Sequence, residues 1–171
     1  MKLLIIFTYL ITASYSYALE KPDIKNLIII KNPKIYKDVS FKDKNQKEVN
    51  ISDFNGKLLI LNFWATWCSP CREEMPSLDE LQSNSNFNNL KIFPINIGQE
   101  GVSKSESFFE ELNIKNLDIY FDAPITLAKK FSLRGVPTTI LFNKQGKEFA
   151  RIMGSIDFND DEFINWLKFY N

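Results

Sequence analysis

Two cysteines, three positions apart, are the side chains of this sequence best suited to chemistry. Cys68 and Cys71 are its only cysteines, and they lie in the segment Trp67-Cys68-Ser69-Pro70-Cys71. Such a pair can form half of a zinc site, a structural disulfide, or a redox centre. Histidine is absent, so a zinc site of ordinary ligand type and a His-ligated haem both lack ligands. A structural disulfide that closes so short a loop contributes only about 2 kcal/mol, so the redox interpretation is favoured.

A buried strand is predicted before the cysteines and a helix after them. The nearly continuous apolar run 58–64 is typical of a strand that is buried on both faces. After the pair, apolar residues recur at intervals of three and polar ones occupy the other side of the predicted helix. The apolar stripe contains Met75, Leu78 and Leu81, and the polar side contains Arg72, Glu73, Asp79 and Glu80. Pro76 predicts a kink.

The position of Cys68 relative to this helix predicts its chemistry. At the first turn, unpaired backbone N–H groups and the positive end of the helix dipole stabilise a thiolate. Cys71 would lie one turn further in. The spacing therefore predicts a reactive first cysteine and a more protected second one.

The remaining pattern alternates strands and helices, which predicts an α/β fold with parallel strands. Strands are predicted at 90–97 and 117–121, and a capping box from Ser103 to Glu106 predicts a helix that runs through Leu112. The chain then predicts a short helix at 124–131, a hairpin of strands 138–142 and 149–153, and a last helix at 160–170.

The amino-terminal part divides into three segments. Residues 1–18 have the apolar run and the small-x-small end, Ser16-Tyr17-Ala18, of a signal peptide, with an uncleaved membrane anchor as the alternative. Residues 19–39 form a lead-in that is either an extra strand or a loosely attached segment. The polar cluster 42–46 within residues 35–49 predicts a β-hairpin.

Composition narrows the classes of function. The 171 residues suffice for one core, and 21 basic residues balance 21 acidic ones. Because the charges balance, the chain has no overall electrostatic field that would attract nucleic acid, so a nucleic-acid partner is not expected.

The segment 63–76 resembles the active-site segment of the thioredoxin superfamily, and most closely that of its extracytoplasmic TlpA/ResA-like branch. The segments 53–57, 96–98 and 135–139 also follow the order of that family. The resemblance covers about 40–171. It implies a thioredoxin-like fold, with a central mixed β-sheet flanked by helices on both faces and an N-terminal β-hairpin. Together with the amino-terminal pattern, it divides the chain into a signal peptide, 1–18, a lead-in, 19–39, and a thioredoxin-like domain, 40–171.

The same resemblance implies a role for each site residue. Cys68 is the exposed nucleophile, and Cys71 resolves the mixed disulfide. Ser69 and Pro70 set the entry into the helix and tune the redox potential. Pro137 is the cis-proline opposite the cysteines, and it leaves the backbone of Val136 free to pair with substrate. Trp67 shields the site or contacts substrate, whereas Trp64 is expected in the core.

Proton transfer depends on a carboxylate in this interpretation. Asn62 stands where thioredoxins proper have a buried aspartate, and a neutral amide cannot accept a proton. Glu74, three residues after Cys71, matches a glutamate of the extracytoplasmic branch. It can shift the pKa of a cysteine or accept the proton of Cys71, unless it is an ordinary solvated helix residue as Glu73 is expected to be.

These resemblances predict an exported, periplasmic protein-disulfide reductase that receives electrons from a membrane thiol carrier. Its substrates are protein disulfides, with cytochrome c maturation as one setting; we expect a monomer that needs no bound cofactor. A thiol oxidant and a non-catalytic binding module with a structural disulfide are the alternatives. A thiol peroxidase is disfavoured because the sequence lacks Pro-x-x-x-Thr-x-x-Cys before Cys68.

Overall fold

Eight strands form one mixed sheet in the part of the chain that this computed structural model describes, residues 22–122 and 124–171. The predicted signal peptide lies outside these residues. The strands are β1 (Leu27–Ile35), β2 (Ser40–Asp43), β3 (Glu48–Asn50), β4 (Leu58–Trp64), β5 (Leu90–Asn96), β6 (Tyr120–Phe121), β7 (Thr138–Phe142) and β8 (Lys147–Met153). The helices are α1 (Ser69–Gln82), α2 (Val102–Glu111), α3 (Thr126–Lys130) and α4 (Asp161–Leu167). Short 3-10 turns span Ile51–Phe54 and Lys168–Tyr170.

Strand β4 lies inside the sheet and carries the cysteines at its carboxyl end. The strand order is β1-β8-β7-β4-β5-β6-β2-β3, with β4 parallel to β5 and antiparallel to β7. All seven residues of β4 are buried, because side chains alternate between two hydrophobic clusters on opposite faces of the sheet. The prediction of a strand buried on both faces is confirmed.

Helices cover both faces of the sheet. Apolar residues of α1, α2 and α4 belong to one cluster, for example Met75, Phe108 and Phe163. Leu127 of α3 belongs to the other cluster, together with Phe41 of β2. The predicted α/β fold, with helices on both faces of a mixed sheet, is therefore confirmed.

The lead-in contains an ordinary strand of the sheet. Of the two possibilities left open by the sequence, the structure shows the extra strand, because β1 pairs antiparallel with β8 at one edge. At the other edge, β2 and β3 form the predicted N-terminal hairpin, and β2 also pairs with β6. No helix within residues 22–122 and 124–171 is long and apolar enough to cross a bilayer.

The predicted capping box of α2 is wrong. The helix begins at Val102, and its N-cap is Gly101, which makes no side-chain capping bond and has φ of 82°. Glycine adopts this φ without strain, so the chain enters the helix before Ser103. Ser105 instead points inward, where its hydroxyl donates to the carbonyl of Gly101 and accepts from the side chain of Asn96.

Two further predictions near α1 fail for one shared reason. Asp79 was placed on the polar side of the helix, but it is only 6% exposed. Its carboxylate accepts hydrogen bonds from the backbone N–H groups of Lys115, Asn116 and Leu117. The N–H of Leu117, at the start of the predicted strand 117–121, therefore binds Asp79 rather than a neighbouring strand, and the observed strand is Tyr120–Phe121. Helix α1 itself is continuous through Pro76, and the kink stays a prediction.

Candidate active site

The two cysteines lie where β4 passes into α1, at the carboxyl edge of the sheet. Cys68 is the N-cap of α1, and it is joined to Cys71 by a disulfide. The backbone N–H of Cys71 donates to the sulfur of Cys68 at 3.2 Å. In the reduced protein, this N–H and the positive end of the helix dipole would stabilise a thiolate on Cys68. The predicted position of the pair is confirmed.

The accessibility of the pair differs from the prediction. Cys68 is 4% exposed and Cys71 is fully buried, so the description of Cys68 as exposed is wrong for the disulfide form. The sulfur of Cys68 is turned back over the first turn of α1, where it caps the helix. Trp67, immediately before it, is 70% exposed. Such exposure is unusual for a tryptophan and leaves the indole available to a partner.

Ser69 and Pro70 are the first two residues of α1, and both are exposed. Proline suits the first turn, because it lacks an N–H that would have no partner there and its φ is already helical. These two residues therefore set the entry into the helix, as predicted. Their influence on the redox potential stays a prediction.

Glu74 is a buried carboxyl group one turn after Cys71. It is 2% exposed, so it is not the ordinary solvated residue of the alternative interpretation, whereas Glu73 beside it is exposed. Burial raises the pKa of Glu74 to about 8, although hydrogen bonds from Asn62 and from the backbone of Ile156 act in the opposite direction. Residues three apart on a helix are neighbours, so this carboxyl group lies close to Cys71.

Asn62 of β4 is the partner that holds Glu74. Its side-chain N–H donates to Oε1 of Glu74 at 2.7 Å and to the hydroxyl of Thr139 at 2.9 Å. Thr139 is its register partner on β7, so both contacts come from packed, regular structure. The side-chain oxygen of Asn62 is buried without a partner in the described residues. The two positions that the sequence left as separate candidates thus form one buried pair.

Pro137 precedes β7 at the same edge of the sheet. The Val136–Pro137 peptide bond is cis, as the resemblance predicted. Phe63 pairs with Thr138, so Pro137 lies level with the end of β4, next to the chain that leads to Cys68. Pro137 is buried, whereas Val136 is half-buried. The carbonyl of Pro137 accepts from Gly154, which follows β8.

One contact near the cysteines was not found by sequence reasoning. The hydroxyl of Thr66, in the loop before Cys68, donates to Oε1 of Glu100 at 2.8 Å. Glu100 follows β5, and its second carboxylate oxygen is buried without a partner in the described part of the chain. The contact ties the loop of the cysteines to the loop after β5. The parallel pairing of β4 and β5, which brings their carboxyl ends together, was the only signal for it.

Trp64, the last residue of β4, packs in the core next to the segment that leads to the cysteines. It is fully buried and stacks near the rings of Phe108 and Phe109 of α2, so the preference for a core role is confirmed. Within residues 22–122 and 124–171, no group of three or more cysteine, aspartate or glutamate side chains is placed to hold a metal ion. The groups that the site offers to chemistry are its two sulfurs and the buried carboxyl group of Glu74.

The fold and the site together define a class: a thioredoxin-fold protein with a Cys-x-x-Cys pair at a helix N-terminus, of the thiol-disulfide oxidoreductase type. The chain belongs to the AhpC/TSA family, whose model matches residues 34–147. The resemblance to thioredoxin-like oxidoreductases is thereby confirmed.

Individual relatives agree with this class. Thiol-disulfide oxidoreductase ResA of Geobacillus kaustophilus (strain HTA426) is 32% identical over 125 residues, which cover 73% of this chain and 71% of the relative. For thiol-disulfide oxidoreductase ResA of Bacillus subtilis (strain 168) the identity is 28% over 114 residues, and the chain spans only 63% of the relative's length. A secreted thiol-disulfide isomerase from Corynebacterium glutamicum has a TM-score of 0.69 at 24% identity, covering 86% of this chain and 95% of that one. The last likeness shows the shared fold.

Proposed function

We propose that this chain is an extracytoplasmic thiol-disulfide oxidoreductase that reduces disulfides of other proteins. One observation carries the proposal: the cysteine that caps α1 lies one turn before a second cysteine and two turns before a buried carboxyl group. A structural disulfide exchanges no protons, so a buried carboxyl group beside it would serve no function there. A redox pair does exchange them, because its two sulfurs must lose and gain protons in turn.

The first step is the attack of the Cys68 thiolate on one sulfur of a substrate disulfide. A bond forms between this sulfur and Cys68, the substrate S–S bond breaks, and the other substrate sulfur leaves as a thiolate that takes a proton from solvent. The helix N-terminus favours the ionised Cys68. Its position on the outer side of the pair makes it the attacking residue.

In the second step, Cys71 resolves the mixed disulfide. Its thiol loses a proton, and the resulting thiolate attacks the sulfur of Cys68, which releases the substrate as a second thiolate. Two electrons thus pass from the dithiol to the substrate, and the Cys68–Cys71 disulfide remains. Glu74 is the proton acceptor for Cys71, because burial raises its pKa to about 8, close to the ordinary thiol value of about 8.5.

Substrate binding involves the exposed edge around Cys68. Trp67 offers a large apolar surface beside the reacting sulfur. The backbone of Val136, just before the cis-proline Pro137, pairs with an extended segment of the substrate. This pairing would hold the substrate disulfide above Cys68.

The proposed setting of the reaction rests on the predicted signal peptide and on the resemblance to the extracytoplasmic branch. The chain acts outside the cytoplasm, in the periplasm, and recovers its dithiol from a membrane thiol carrier. Cytochrome c maturation is one process in which its clients would be held reduced. Amino-terminal sequencing of the mature protein checks export: a chain that begins near Leu19 supports it, and one that retains Met1 contradicts cleavage.

Trapping of mixed disulfides tests the activity and names the clients. In Cys71→Ser, the thiolate of Cys68 attacks but nothing resolves the product, so client proteins remain covalently bound. Cys68→Ser is the matched control and should trap none. If neither variant traps a partner and the wild type does not accelerate reduction of insulin by dithiothreitol, the chain is a non-catalytic module.

The direction of the reaction is tested by the redox potential. Equilibration with glutathione buffers should give a value in the reducing range, near that of thioredoxin at about −270 mV. A value of about −120 mV would identify a thiol oxidant and overturn the reductase proposal.

A further inference from the structure

A groove beside the cis-proline loop has no part in the steps described above. It has a volume of about 710 Å³ and lies between β1 and the segment that follows α3. Four basic side chains and one carboxylate line it, together with exposed apolar residues. We call it the basic groove; its charged residues are Lys34, Lys130, Arg134, Arg151 and Glu148.

Among the residues that the structure describes, a carboxylate neutralises only one of the four basic side chains of the groove. Arg151 pairs with Glu148, whose two oxygens are occupied by Arg151 and by the hydroxyl of Tyr36. Lys130 donates to two backbone carbonyls, which leaves its charge uncompensated. In residues 22–122 and 124–171, neither Lys34 nor Arg134 makes a salt bridge. All three uncompensated side chains are exposed.

The basic groove is continuous with the proposed substrate site. Arg134 precedes Val136 by two residues, and Thr138, which lines the groove, directly follows Pro137. Met153, also in the lining, pairs with Thr138 and is 39% exposed. Ile28, at 46% exposure, extends the apolar surface along the edge strand β1. A substrate segment that pairs with Val136 therefore continues into the groove.

The opposite end of the sheet has the opposite charge. A second groove, formed by the β2–β3 hairpin and α2, is lined by six carboxylates and two lysines. The whole chain has no net charge, so this separation of sign is a feature of the surface and not of the composition. Such polarity orients a charged partner before contact, because it acts over the distance of a Debye length.

From these observations we infer that the basic groove selects client segments that carry acidic residues two to four positions from the reacting cysteine. The inference rests on the proposed reductase function and names the class of substrate. An extended segment advances about 3.3 Å per residue, so residues at these positions come level with Arg134, two residues before Val136, when the substrate cysteine lies at Cys68. Lys34, which pairs with Glu148 at the other end of β8, extends the positive charge of the groove beyond them. Met153 and Ile28 receive apolar side chains of the same segment.

A pair of synthetic peptides tests the selectivity. Each contains one internal disulfide, and they differ only in having Asp or Asn two to four positions from the cysteines. The reduced wild-type protein is mixed with each peptide, and the second-order rate constants are compared by stopped-flow tryptophan fluorescence. We expect the Asp peptide to react about tenfold faster at low salt, and this ratio to fall toward about two in 0.5 M NaCl.

The groove variants isolate the contribution of Arg134 and Lys34. Arg134→Glu should lower the ratio of the two rate constants to about one, and Lys34→Gln with Arg134→Gln to about three. The ratio cancels any general loss of activity, and comparing it between variants cancels any intrinsic difference between the peptides. Lys168→Glu, an equal charge reversal outside the groove after α4, should keep the tenfold ratio.

Each other outcome overturns the inference in a recognisable way. If both peptides react equally with the wild type, or if Arg134→Glu keeps the tenfold ratio, the groove does not select acidic clients although the reductase proposal stands. If neither peptide is reduced, the reductase proposal itself fails. Self-association that Arg134→Glu abolishes in sedimentation would assign the groove to a second copy. Loss of binding to phosphatidylglycerol vesicles in that variant would assign it to a membrane.

Discussion

Helix α1 contains two buried carboxyl groups, Glu74 and Asp79, whose surroundings differ sharply. They are 2% and 6% exposed, so burial does not distinguish them. Asp79 accepts hydrogen bonds from three successive backbone N–H groups and from the side chain of Asn116. Glu74 accepts one short bond, from Asn62, and one long bond of 3.4 Å, from Ile156.

The number of hydrogen-bond donors distinguishes a carboxylate that stabilises the fold from a carboxyl group that can take part in proton transfer. Asp79 organises the loop before β6, because each of its donors is directed at one of its two carboxyl oxygens. Glu74 has too few donors to offset its burial, so its pKa is raised to about 8 and it can exchange a proton near neutral pH. A buried carboxyl group with few donors, one helical turn from a cysteine, therefore supports the proposed role of Glu74 in proton transfer.

Asp79→Ala is expected to have the largest effect on stability. It leaves the N–H groups of residues 115–117 without their acceptor, which should cost about 3 kcal/mol of unfolding free energy. Urea denaturation of the oxidised protein measures this loss. A loss below about 1 kcal/mol would show that water replaces the carboxylate, and would weaken the structural side of the comparison.

Glu74→Gln should change the dependence of stability on pH. The folded-state pKa of Glu74 is raised above 4.5, so its protonated form stabilises the fold at low pH, and this contribution is lost as the pH rises toward about 8. The wild type should therefore lose up to about 1.4 kcal/mol per pH unit in that window. The Gln variant should lack this slope and be the more stable protein at pH 8.

Urea denaturation at pH 5, 6.5 and 8 makes this measurement. The sequence has no histidine, so the side chains that normally titrate in this window are absent. Equal slopes for wild type and variant would contradict the raised pKa of Glu74. The distinction between Glu74 as a chemical group and Asp79 as a structural one would then fail.

Asn62→Leu should have a smaller effect, a rise of about one unit in the pKa of Glu74. It removes the hydrogen bond that favours the ionised carboxylate, so the pKa of Glu74 should rise further. Carbon-13 NMR of the Glu74 carboxyl group follows this titration directly. Thr139→Val is the matched control, since it leaves the bond from Asn62 to Glu74 in place; an equal shift in both variants would contradict the role of Asn62.

Glu73→Ala should have the smallest effect. Glu73 is exposed beside Glu74, so its removal should change the unfolding free energy by less than about 0.5 kcal/mol and leave the pH slope intact. The same denaturation series measures both quantities. A changed slope in this variant would mean that the field of the helix surface, and not burial, controls Glu74.

Much of the site could be predicted because its residues act through local geometry. The place of Cys68 at the start of α1 follows from an apolar strand, a proline in the first turn and a helical stripe, all within 58–81. The cis bond before Pro137 came from the resemblance and is confirmed, although nothing in the residues alone distinguishes it. The catalytic roles of Cys68, Cys71 and Glu74 stay proposals that the trapping and pH experiments test.

The failures at Asp79 and Thr66 involve partners that are distant in sequence, whereas those at Cys68 and at the start of α2 depend on local backbone geometry. Asp79 occupies a polar position on the helical wheel, yet it is buried because a loop 36 residues later supplies its donors. The exposed Cys68 of the prediction is covered in the folded disulfide. Thr66 and Glu100 meet only because β4 and β5 run parallel and end at the same edge.

The sequence by itself determined the class of this protein: the order of its elements, the strand buried on both faces, and the cysteine pair at a helix start. These features depend on the periodicity of apolar residues and on neighbours within a few positions, and both can be read from the sequence. Only the tertiary structure decided that Asn62 holds Glu74, that Asp79 is saturated with donors, and that basic residues from β1 and the loop after α3 share one groove. Each depends on contacts between distant segments, and the packing of the sheet and helices sets these contacts.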